Sequence, residues 1–197
     1  MSAADSAGRS VERPQSIPDI HITRIYEGDP ECDVHYETFG RNTPAHRHSR
    51  FYQVHLLVRG SISLQLDDQA YFAEAPLVFI TPPAIPHAFY SEEHTDGHVI
   101  TVRQDVVRAW YASLPGQWPD AQLREPAFLP LGGAADEVRA EAARLIQLAE
   151  LLQQEFGGRG KGRSAAVQAL GLCFFISLNR LLASHEHVRV GNLSQPF

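Results

Sequence analysis

The stretch TPAHRHSRFYQVHLLVRG, residues 43–60, places His46, His48 and His55 within ten positions, between a proline turn and a glycine. Along a strand, alternate side chains share a face. His46 and His48 therefore project together, and Gln53 projects with His55 and Leu57. Arg50 falls in the bend between the two pairs. Downstream, TPPAIPHAF (81–89) adds His87 after a proline-rich turn. Two imidazoles at i, i+2 and a third from another strand make a candidate metal triad, His46, His48 and His87, suited to zinc, iron, manganese or nickel. The same groups also suit the polar lining of a ligand cavity or a hydrogen-bonded scaffold. The spacing leaves these readings open.

The neighbourhood of this stretch reads as strands. HITRIYE (21–27) and CDVHYETF (32–39) mix β-branched, aromatic and polar residues. SISLQL (61–66), QAYFAEAP, LVFITPP, HAFYSEE and GHVITVR follow in short pieces, punctuated by Gly60, Asp67-Asp68, Pro76, Pro82-Pro83 and Gly97. Closely spaced short strands with turn signals predict a sandwich or small barrel over residues 20–112. Residues 1–19 are polar and small and read as a disordered tail without a secretory signal.

After residue 112 the period changes. DVVRAWYASL is a short helix, and PGQWPD and REPAFLPLGG form a connection. From Asp136 to Phe156, apolar residues recur at steps of three and four (Val138, Ala142, Leu145, Ala149, Leu152 and Phe156), the pattern of an amphipathic helix. Gly157-Gly158 ends it. A second helix is expected from Ser164, an N-cap candidate, through AAVQALGLCFFISLNRLLAS. It is apolar nearly all round, so it is buried on more than one face. The expectation is a helical dimerisation region over 113–187, with Leu170, Phe174, Leu178 and Leu181 at a subunit interface. The alternative is packing against the chain's own sheet. Residues 188–197 read as a linker or tail.

Composition narrows the function. Of 197 residues, 44% are hydrophobic and the net charge is -6, and neither half of the chain is basic. A nucleic-acid surface is therefore not expected. No apolar run reaches the roughly 18 residues of a membrane span, so no membrane partner is expected and the location reads as cytoplasmic. Cys32 and Cys173 are distant from one another, and Cys173 looks buried; free thiols are the expectation. GRGKGR (158–163) lacks the phosphate-loop spacing and reads as a solvated turn. There is no GxSxG elbow, and neither cysteine neighbours a base. Catalysis would have to depend on a metal. Arg50 and Arg103 are candidate carboxylate clamps, and the aromatics Phe51, Tyr52, Phe79, Phe89 and Tyr90 are core residues of which one or two could sandwich a ring.

Two motifs carry a resemblance. Gly40, five residues, His46-x-His48, four residues, Gln53, six residues and Gly60 resemble the first cupin motif, with Gln53 in place of its glutamate. Pro82-x-Ala84-x-x-His87 resembles the second, with Ala84 in a glycine position and Ser91 where asparagine is expected. In metal cupins these positions bind the ion, which maps the ligand set onto His46, His48, Gln53 and His87. The change to Gln53 removes the anionic ligand but leaves three imidazoles; no cofactor is expected, with a divalent metal on His46, His48 and His87 as the alternative. HRHSRFYQ, PPAIPHAF and DGHVITVR, followed by a helical hairpin, resemble the N-terminal half of AraC/XylS-type regulators, closest to those of 4-hydroxyphenylacetate and other aromatic-acid operons. The resemblance spans about residues 21–184. It implies a mainly β fold with C-terminal α: a cupin-like double-stranded β-barrel followed by an α-helical hairpin. It further implies a small aromatic carboxylate effector, contacted by His46, His48, Arg50, Gln53, His55 and His87, and a homodimer. Such regulators continue into two helix-turn-helix motifs. None is read in this sequence, so DNA contact is expected only through a C-terminal domain absent from it. A metal-dependent cupin dioxygenase or isomerase is the alternative.

Overall fold

The computed structural model describes residues 34–38, 42–66, 69–92, 94–115, 123–184 and 188–189. Residues 1–19, HITRIYE and Cys32 lie outside them. The described strands are β1 (Val34–Thr38), β2 (Asn42–His46), β3 (Phe51–Arg59), β4 (Ser61–Leu66), β5 (Gln69–Glu74), β6 (Leu77–Thr81), β7 (His87–Ser91), β8 (Asp96–Arg103), β9 (Ala127–Pro130) and β10 (Val188–Arg189). The helices are α1 (Gln104–Ser113), α2 (Asp136–Gly157) and α3 (Arg163–Ser184). One antiparallel sheet runs β1-β8-β3-β6-β9-β10 and the other β2-β7-β4-β5. The fold is mainly β, a cupin-like two-sheet arrangement, with an α-helical hairpin at its C-terminal side.

Strand β3 explains the layering. Its residues from Phe51 to Leu57 are all buried, so both of its faces are covered, a pattern that a half-solvated antiparallel strand does not show. Tyr52, Val54 and Leu56 join a core with Trp110, Leu145, Phe174 and Leu178 from the helices. Leu57, on the opposite face, joins Phe79 and Phe128 of its own sheet and Ile62, Leu64 and Phe89 of the other. The sheet domain thus has an interior between its two layers and a second core beneath the helices.

Gly60 carries the chain from one sheet to the other. Its φ is +88°, and a Cβ there would lie 2.7 Å from the Thr95 Cα. Only glycine accommodates both the left-handed backbone and that approach. Around the corner, Ala75 N–H donates to the Gly60 carbonyl and Thr95 Oγ1 donates to that of Ser61.

Helix α2 follows the periodicity of its sequence. Val138, Ala142, Leu145, Ala149 and Leu152 are buried, and Asp136 and Glu137 sit in its first turn, where carboxylates complement the helix dipole. At its far end Arg163 donates from Nε to the Glu155 carbonyl and from Nη2 to that of Phe156, satisfying carbonyls that the helix leaves open.

Several expectations need correction. REPAFLPLGG, read as a connection, contains β9, which pairs with β6 and places Phe128 in the interior. Val188 and Arg189, read as tail, pair with β9. Helix α3 starts at Arg163, so Ser164 lies within it and is not its cap. Cys173 is exposed; the burial belongs to its neighbours Phe174 and Phe175. The subunit-interface assignment also changes. Phe174, Leu178 and Leu181 are 0% exposed and pack in the core under the sheet, with Leu170 against its border. Phe174, Leu178 and Leu181, covered by their own chain, cannot form an interface between copies, whereas Leu170 is only partly buried. The all-round hydropathy of α3 reflects α1, α2 and the sheet closing on it.

Candidate functional site

Gln53 lies in register with Thr81 of β6 on one side and Thr101 of β8 on the other. Residues in register share a face, so Thr101, Gln53 and Thr81 form a polar row across three strands. The next row toward the sheet's other end is Val99, His55 and Phe79. All six are buried. The cupin-motif histidine of the opposite sheet, His87, completes the cluster.

The hydrogen bonds define its chemistry. His87 Nε2 lies 2.8 Å from Gln53 Oε1, and His87 Nδ1 lies 3.0 Å from the Ile85 carbonyl oxygen. Gln53 Nε2 donates to Thr101 Oγ1 at 3.3 Å. A carbonyl accepts only, so His87 Nδ1 carries a proton. His87 Nε2 either donates to the Gln53 oxygen or, with the amide turned, accepts from its NH2; the role follows the tautomer. The donation from Nδ1 to Ile85 is common to both arrangements; only the Gln53 amide and its contact with Thr101 turn with the role of Nε2.

Around this chain, the His55 ring stacks on Phe79, with centroids 4.0 Å apart and planes 9° from parallel, and meets Phe89 edge-on. The His48 ring lies 5.5 Å from that of His87. Thr81 is 2% exposed, and its hydroxyl has no hydrogen-bond partner among the described residues. A buried hydroxyl left in this way costs about 1–3 kcal/mol, and such an atom calls for an explanation.

The structure brings together only some of the residues that the sequence singles out. Gln53 and His55 share a face, as their alternation implies, and His87 and His48 converge on them from outside β3. The shared strand for His46 and His48 is not found: β2 ends at His46, and His48 lies beyond it. His46 is placed by its backbone, which pairs with His87; its side chain lies outside the described residues. Arg50 occupies the expected bend and is exposed. Arg103 is not a clamp in waiting, because both its Nε and Nη2 donate to Asp105. Thr81 and Thr101 belong to the cluster without having signalled it, since nothing local in the sequence links them to Gln53.

Ala84, at the motif's glycine position, has φ +70°, the backbone that glycine adopts at least cost. Its N–H donates to the His48 carbonyl at 2.7 Å. The turn thus fixes the segment bearing His48 against the approach to His87.

Among the described residues, no group of three or more His, Cys, Asp or Glu is arranged to hold a metal ion. Gln53 and His87 direct at each other the atoms that would have to ligate together.

The model of the AraC-like ligand-binding domain family matches residues 33–170. The chain belongs to this family. No curated protein compared with the chain matches it. Among solved structures it is similar to apo ToxT K231A from Vibrio cholerae, at 9% identity and TM-score 0.46, over 77% of this chain and 56% of that one. It is also similar to a cupin-2 domain protein from Shewanella frigidimarina, at 18% identity and TM-score 0.32, over 36% of this chain and 72% of that one. KdgF from Halomonas sp. matches at 18% identity and TM-score 0.31, over 40% of this chain and 89% of that one.

Proposed function

We propose that this AraC-like domain is the effector-binding part of a cytoplasmic, homodimeric transcriptional regulator of aromatic-acid breakdown, and that it has no catalytic activity of its own. The observation that carries the reading is the Thr81 hydroxyl, buried without a partner beside the Gln53–His87 hydrogen bond. A small effector with a polar group would satisfy it within a largely apolar interior, as ligand cavities do. The buried side chains of His48, Gln53, His55 and His87 would contact the effector, with Arg50 as its carboxylate partner; His46 enters this set through the motif resemblance alone. DNA contact would come through a helix-turn-helix domain. The resemblance of HRHSRFYQ, PPAIPHAF and DGHVITVR to regulators of 4-hydroxyphenylacetate operons makes that acid the first ligand to try.

The mechanism is linkage. An effector that binds one arrangement of sheets and helices more tightly shifts the population toward it. Because β3 is buried on both faces, a change at Gln53 is transmitted to the helix-facing side chains Tyr52 and Val54. Two copies pairing through helices would read out that shift, through residues other than Phe174, Leu178 and Leu181.

Calorimetric titration with 4-hydroxyphenylacetate, with metal assayed on the same sample, tests this. Saturable binding in metal-free protein, lost in Thr81→Val and Gln53→Leu, is expected. Binding that neither substitution alters refutes the interior site. The 5.5 Å His48–His87 approach keeps a metal-dependent cupin enzyme as the second reading. Stoichiometric uptake of added Fe(II), Mn(II) or Zn(II), lost in His87→Ala, would establish it instead.

A further inference from the structure

A pocket lies on the other face of β3. It has a volume of about 390 Å³ and is lined by Tyr52, Pro82, Pro83, Arg108, Tyr111 and Arg124, among others. Gln53 points into the interior between the sheets; Tyr52, one residue earlier, faces the opposite way. This pocket is therefore separate from the cluster around His87 and backs onto it through a single strand.

Its walls have a definite chemistry. Two tyrosine rings and two proline rings supply flat apolar surface, and both tyrosines are 8% exposed. They are anchored from behind. Tyr52 meets Phe175 edge-on, with centroids 6.4 Å apart. The Tyr111 hydroxyl accepts a hydrogen bond from Asn179 Nδ2, and Asn179 Nδ2 is held in turn by the Phe175 carbonyl. Against these walls stand two guanidinium groups, Arg108 of α1 and Arg124, both exposed. No carboxylate pairs with Arg108 among the described residues. In a chain of net charge -6, two arginines line this one pocket. Guanidinium groups bind carboxylates bidentately, while the rings accept an aromatic face. The volume is at the small end for ligand sites, which run from roughly 300 Å³ upward, and so fits a single ring with a short acidic arm.

We propose that this pocket is a second binding site, distinct from the interior one, for a small aromatic carboxylate, with Arg108 and Arg124 holding the carboxylate and Tyr52 and Tyr111 the ring. The proposal does not require the interior site to bind anything.

The test is calorimetric titration of the full chain with benzoate, benzamide and inorganic phosphate. The variants are Arg108→Ala/Arg124→Ala and Gln53→Leu, each checked for an intact cooperative urea transition. Wild type should bind benzoate saturably. The double arginine variant and the uncharged benzamide should each bind at least about tenfold more weakly, as loss of a charge-assisted contact implies. Benzoate affinity unchanged in the folded double variant overturns the proposal, as does the absence of saturable binding to wild type. Phosphate binding as tightly as benzoate overturns the aromatic assignment. Binding lost only in Gln53→Leu would place the ligand in the interior and leave that reading standing while this one fails.

Discussion

Replacing Gln53 with leucine probes the hydrogen-bond chain on which the interior site is built. The two side chains are similar in volume, and Gln53 is 7% exposed, so packing changes little. What changes is pairing: His87 Nε2 and Thr101 Oγ1 lose their contacts with the Gln53 amide at 2.8 Å and 3.3 Å. Each buried polar group left without a partner costs about 1–3 kcal/mol. Removing a buried amide returns part of this, about 0.5–2 kcal/mol. The net expectation is a loss of about 2 kcal/mol, or about 4–8 °C in Tm for a chain of this size. The diagnostic quantity is the coupling. His87→Leu alone also strands an amide, whereas Gln53→Leu with His87→Leu strands less than the two singles together. The double variant should therefore be about 1–2 kcal/mol more stable than the sum of the singles predicts. Urea unfolding at unchanged m-value gives all four stabilities. Singles that add within about 0.5 kcal/mol, or a Gln53→Leu variant as stable as wild type, would refute the hydrogen-bond chain as a structural unit.

Four other outcomes follow from particular residues. Gly60→Ala, which drives a Cβ to 2.6 Å from Thr95 Oγ1 at φ +88°, should cost at least about 1–2 kcal/mol in urea unfolding. Ala84→Gly, at φ +70°, should instead stabilise by about 0.5–1 kcal/mol, seen as a higher urea midpoint. Leu178→Ala should cost about 2–5 kcal/mol, and Leu178→Arg should unfold the chain rather than release folded monomers; a folded monomer in ultracentrifugation would restore the interface reading. Burial holds the His98 pKa below 6.5, against the opposing pull of Asp96 and Glu150. The stability this contributes is present above pH 6.5 and is lost as the pH falls through the folded value, so His98→Asn should flatten the decline in unfolding free energy on that acid side.

The amino-acid sequence by itself determined what short-range pattern can encode. Alternation put Gln53, His55 and Leu57 on one face, and steps of three and four marked Val138 to Leu152 as one side of a helix; both are properties of a single segment's geometry. The corner at Gly60 was equally legible, because backbone conformation is a local demand, while the glycine position occupied by Ala84 was known only through the motif resemblance. Only the tertiary structure decided which strands lie beside β3, because pairing joins residues far apart in the chain. Thr81 and Thr101 flank Gln53 from 28 and 48 positions away, and no periodicity links them. The same holds for α3, whose composition required burial but could not say against what. Covering by α1, α2 and the sheet buries Phe174, Leu178 and Leu181 but leaves Leu170 and Leu172 partly exposed, and local pattern cannot distinguish such covering from a second subunit. The pocket behind Tyr52 arises in the same way, since Arg108, Arg124 and Tyr52 meet only when the fold lays α1 across the outer face of β3.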